Sequence, residues 1–65
     1  MQKEKHEVLV STNNPEAVAK VREIVRKING YDTPEYTNDC HVRFEYFGSM
    51  LDGIECMGAG ASMVS

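Results

Sequence analysis

The sequence predicts a small α+β domain of β-α-β-β order, with one amphipathic helix packed on one face of a three-stranded mixed sheet. Three observations carry that expectation. Residues 15–29, PEAVAKVREIVRKIN, repeat apolar side chains at three- and four-residue spacing, which is the signature of a helix with one apolar face. HEVLVST is rich in β-branched residues, and CHVRFEYF alternates apolar with polar positions, as half-buried strands do. A chain of 65 residues reads as a single domain, 1–65, whose folding hides only ~60% of the unfolded surface.

After a charged lead-in, MQKEK, the first strand covers about residues 6–12, with His6, Val8 and Val10 on one face and Glu7, Leu9 and Ser11 on the other. Asn13 and Asn14 turn the chain. In the helix at 15–29, Ala17, Val18, Val21, Ile24, Val25 and Ile28 form the apolar stripe, while Lys20, Glu23 and Lys27 face away. Asn14 suits the N-cap, Pro15 suits the first position where no N–H is needed, and Gly30 suits the left-handed residue that ends the helix. Residues 31–39, YDTPEYTND, read as an exposed loop, with an edge segment around Tyr31. A hairpin then spans about residues 40–58. Its first strand sets Val42, Phe44 and Tyr46 against Arg43, Glu45 and Phe47, its loop is Gly48–Gly53, and its second strand begins at Ile54. A right-handed crossover places the Cys40–Phe47 strand parallel to the first. Residues 59–65 form a tail with little side chain to pack, and such segments fray.

Composition narrows the function classes. Val, Ile, Leu and Phe make up 14 of 65 residues, about 22%, close to the ~20% below which chains tend not to fold. A core this thin favours assembly with another protein or with itself as a homodimer. Net charge is −3, yet residues 1–29 carry six basic and four acidic side chains, and residues 30–65 one basic and six acidic. Lys20, Arg22, Arg26 and Lys27 lack the interleaved aromatics of a nucleic-acid interface and read as a solvated helix face, so no nucleic-acid partner is expected. With no run of eighteen apolar residues and no apolar core in MQKEKHEV, the expectation is no membrane association and a cytoplasmic protein with reduced thiols.

Few residues suggest chemistry. His6, Cys40, His41 and Cys56 could by type form a Cys2His2 zinc site, but adjacent Cys40 and His41 point to opposite faces of a strand and the paired ligand spacing is missing. In the hairpin, Cys56 would sit opposite Phe44 or Glu45, leaving Cys40 ~13–17 Å away against a Cα limit of ~7 Å, so no disulfide is expected. The chain shows no serine elbow, no Cys-x-x-Cys and no phosphate loop, and Asp32 and Glu35 lie in an exposed loop where nothing raises a carboxyl pKa. No catalytic residue, cofactor or metal is therefore assigned.

FGSMLDGIE, Phe47–Glu55, resembles the segment of acyl and peptidyl carriers in which a phosphopantetheine-bearing serine precedes Leu-Asp and starts an apolar helix. Here Met50 stands where the modified serine would be, with Ser49 one residue earlier. The resemblance implies a carrier, or a peptide substrate whose C-terminal segment is modified by a partner enzyme, and further helices after Glu55.

The leading expectation is a small non-enzymatic interaction protein that binds stoichiometrically through the uncovered sheet face and the tyrosine-bearing loop. Leu9, Tyr31, Tyr36, Phe47 and Met57 are its contact residues. In size and in lack of motifs the chain resembles accessory inhibitors of phages and mobile elements. The carrier or peptide substrate and a small zinc or redox module are the alternatives.

Overall fold

The computed structural model describes residues 4–64. Along them run β1 (Glu4–Ser11), α1 (Pro15–Asn29), β2 (Glu35–Thr37), β3 (His41–Gly48), α2 (Met50–Gly58) and β4 (Ser62–Met63). The strands form one sheet in the order β2-β3-β1-β4, and every neighbouring pair is antiparallel.

The chain is therefore α+β, with two helices on a four-stranded antiparallel sheet in place of one helix on a three-stranded mixed sheet. The difference starts at β2, which lies within the expected loop at 31–39, four residues beyond Tyr31. Its three residues pair with β3 (Glu35↔Phe44, Tyr36↔Arg43, Thr37↔Val42). Asn38 Oδ1 closes the turn by accepting from the N–H groups of Cys40 (2.8 Å) and His41 (2.7 Å). This small hairpin reverses the chain, so β3 meets β1 antiparallel rather than parallel, and β2 becomes the strand that runs parallel to β1 with β3 between them. The result is the split β-α-β, or ferredoxin-like, order, which hosts many unrelated activities.

α1 occupies Pro15–Asn29 because both ends are capped. Asn14 Oδ1 accepts from Ala17 N–H at 3.2 Å, and Gly30, at φ +81°, donates its N–H to Arg26 O at 2.8 Å in a left-handed conformation that a Cβ would strain. Its buried stripe of Ala17, Val18, Val21 and Val25, with Ile24 and Ile28 at the margin, lies on the inner sheet face. That face is set by the register His6↔Tyr46, Val8↔Phe44, Val10↔Val42, and all six of these side chains are buried. The last residue of α1 adds a contact outside the helix. Asn29 Nδ2 donates to Glu45 O (3.2 Å) and its Oδ1 accepts from Phe47 N–H (3.0 Å), so the side-chain amide takes the place of a strand beyond the end of β2.

The expected hairpin at 40–58 is not formed: Met50–Gly58 is helical. Gly48 and Gly53 read as the brackets of a loop, but they do other work here. The Asp52 carboxylate accepts from Ser49 N–H at 3.0 Å and satisfies one of the amides exposed where the helix begins. Gly53 is buried under Tyr46 and Met63, where no side chain fits. Ser49 thus starts a helix, as the carrier resemblance implies, but that helix packs on a sheet. The described part of the tail, 59–64, also differs from expectation, while Ser65 lies outside the described residues. Ser62 and Met63 pair with Leu9 and Val8 as an edge strand, and Val64 N–H donates to Glu7 O at 2.9 Å.

Candidate protein-binding surface

β1 and β3 turn one face to the helices and leave the other open, as expected from their alternation. Leu9, Tyr36 and Phe47 lie on the open face, because antiparallel partners share a face and their partners are Arg43, Arg43 and Lys5. The open face is nonetheless not an apolar patch. Leu9 and Phe47 are four residues apart along the ladder, ~13 Å, with the Glu7↔Glu45 pair between them. Lys5 Nζ sits 3.5 Å from Glu45 and 3.9 Å from Glu7, and Arg43 reaches Glu7 at 3.9 Å while its guanidinium carbon lies 4.6 Å from the centroid of the Tyr36 ring. The centre of the face is a lattice of paired charges.

Tyr31 and Met57 are elsewhere. Tyr31 follows the capping Gly30 and is exposed, and Met57 projects from α2. The segment around Tyr31 is tied to the basic side of α1: Arg26 meets Asp32 at 3.0 Å, and Arg22 grips both carboxylate oxygens of Glu35 at 2.7 and 2.9 Å. Such exposed pairs contribute ~0–1 kcal/mol each, but they occupy the two arginines that a nucleic-acid reading would need.

The surface that sequence reasoning missed, apart from Met57, is α2. Only Gly53 and Cys56 of this helix are buried. Met50, Leu51, Ile54 and Met57 are 65, 74, 54 and 44% exposed, and they lie side by side because positions i, i+1, i+4 and i+7 share one side of a helix. Met63 and Val64, on and next to β4, line the same groove. An apolar surface of this continuity is unusual on a free monomer. The signal was present as S-x-x-D before an apolar run, a helix-start pattern, but Gly53 and Gly58 masked it.

The candidates for chemistry do not converge. Among the described residues, no group of three or more His, Cys, Asp or Glu side chains is placed to hold a metal ion. His6 is buried and stacks on Tyr46 with ring centroids 5.2 Å apart. Both cysteines are free, Cys40 exposed and Cys56 buried, so only one of the two behaves as a small core hydrophobe. Burial, reinforced by Glu55 and Asp52, pushes the Cys56 thiol up to about 11 from 9.0. The neutral thiol is thus the form the fold favours: the associated stability is complete below pH 9 and is lost as pH rises through about 11. At pH 8 one equivalent of iodoacetamide label is expected in the native chain, on Cys40, and two in denaturant. Equal native labelling of both, read by peptide mass, would contradict the burial of Cys56.

No helix among the described residues is long and apolar enough to cross a membrane. Compared with known protein families, with curated proteins and with solved structures, the chain matches none of them.

Proposed function

We propose that this chain is a non-enzymatic interaction module that binds another protein molecule stoichiometrically through α2 and the adjoining β4 edge. The supporting observation is the uncovered row Met50, Leu51, Ile54, Met57, continuous with Val64. A fully buried aliphatic side chain gains ~1.5–3 kcal/mol, so each of these, half to three-quarters exposed, leaves ~1–2 kcal/mol for a partner to supply. The open sheet face offers less, since its charges are already paired and its apolar residues are separated. It serves as a flank to the binding surface through Leu9, Tyr36 and Val64, which border one cleft.

A photoreactive phenylalanine analogue at position 51, expressed in cells of the native host, tests this reading. Irradiation should give a discrete covalent adduct to a protein, whereas the same probe at Lys20 on α1 should give none. Absence of any adduct from position 51, with the chain folded and expressed, would remove the proposal.

A further inference from the structure

The two edges of the sheet are built differently. At the β2 edge Pro34 precedes the strand, Arg22 covers Glu35, and Asn29 fills the ladder beyond it. Proline and charge are the usual guards against strand addition. The β4 edge has neither, for Ser62, Met63 and Val64 are uncharged and the neighbouring α2 row of Met50, Leu51, Ile54 and Met57 is apolar. The other surfaces carry charge: Lys20, Arg22, Glu23, Arg26 and Lys27 on α1, and Lys5, Glu7, Arg43 and Glu45 on the open sheet face.

We infer that the occupant of this margin is a second copy of the chain, joined by antiparallel β4–β4 pairing about a two-fold axis perpendicular to the sheet. The inference rests on the binding reading above. An isologous contact places the same patch on both sides, so it must be self-complementary. This margin meets that condition. An edge strand pairs with an edge strand and an apolar helix face packs on an apolar helix face, with Glu55 at the flank of the apolar row in each copy. A perpendicular two-fold keeps both helix layers on one side of the joined sheet, so α2 of each copy, which already borders β4, faces its counterpart. The sheet then has eight strands, and its outer edges are the two guarded β2 edges. A basic-flanked partner would find little to pair with, since Glu55 is the one charged residue on the outward side of α2.

Sedimentation equilibrium of the full chain at micromolar concentration tests this, with a mass near twice 7.3 kDa expected. Ile54→Glu and Leu51→Lys replace exposed side chains and so should keep the native circular dichroism. Each should weaken association by at least about 100-fold, the scale of a hot-spot loss. The pairing mode is read by oxidation of Ser62→Cys in a Cys40→Ser background, which should give a cross-linked dimer, whereas Thr37→Cys should not. A chain that remains monomeric at high concentration, or a dimer that cross-links through position 37 and tolerates both α2 variants, overturns the second copy. If the chain is monomeric and the probe at position 51 captures a different protein, the second copy falls and the binding reading stands. If position 51 captures nothing, both fall.

Discussion

Replacing Tyr46 with alanine is expected to remove about half of the chain's stability or more and to lower its urea midpoint accordingly. Tyr46 is fully buried where three elements meet: it stands on β3, stacks on His6 of β1, and donates its hydroxyl to Ser49 O at 3.1 Å where α2 begins. Truncating a buried aromatic to alanine costs ~3–5 kcal/mol through lost transfer energy and the cavity left behind. A chain of this length has ~3–10 kcal/mol of stability in all, at ~0.05–0.15 kcal/mol per residue. Tyr46→Phe keeps the ring and loses only the hydroxyl contact, about 1 kcal/mol, so it should fold. Urea titrations of the two variants beside the parent decide the matter, and a Tyr46→Ala midpoint close to the parent's would refute this account of the core.

Gly53→Val should detach α2 while α1 stays docked. A Cβ at position 53 would meet the Tyr46 hydroxyl at 2.6 Å and Met63 Cε at 2.9 Å. The end of Met63 can swing aside, but Tyr46 is enclosed and held by Ser49. Gly53→Ala already supplies that Cβ, so the ~1 kcal/mol it gains in helix propensity is outweighed by overpacking of ~1–3 kcal/mol and the variant should be mildly destabilised. Valine adds two methyl groups in a packed site and is expected to cost ~2–4 kcal/mol. Because only Gly53 and Cys56 anchor α2, that cost is expected to appear first as lost amide protection across Leu51–Gly58, ahead of α1. Uniform loss in both helices would show instead that the two are one cooperative unit.

The sequence was most legible where local chemistry decides the structure. For α1, Asn14, Pro15 and Gly30 mark both ends and the apolar spacing marks the buried side, so the helix could be read without knowing what it packs on. The inner face of β1 and β3 was legible for a similar reason, since a period of two assigns Val8, Val10, Val42, Phe44 and Tyr46 together. What escaped depended on distant partners. β2 is three exposed residues beside a proline, a strand only because β3 lies next to it. The parallel arrangement of β1 and β3 failed with it, because one short hairpin sets the direction of everything that follows. α2 was hidden by Gly53, whose glycine answers a crowded contact with Tyr46 rather than a turn. The apolar row on α2 was hidden with it, because an apolar period normally points inward and here it points out. Of the expected contact residues, Leu9 and Tyr36 line one cleft on the open face, Phe47 lies farther along the same face, and Tyr31 and Met57 lie apart from them.

Asn29 moors the end of α1 to a distant strand. Its amide meets Glu45 O and Phe47 N–H, sixteen and eighteen residues away, and both groups point out of the same side of β3. In a strand, only alternate residues present their backbone groups to a given side. A slip of β3 by one position would turn Phe44 and Tyr46 out of the core, but it would bring the same kind of backbone groups from the neighbouring residues to Asn29, since every residue but proline carries both. The last residue of the helix therefore ties the end of α1 to that side of β3 through groups that every residue carries, and the choice of alignment is left to side-chain packing.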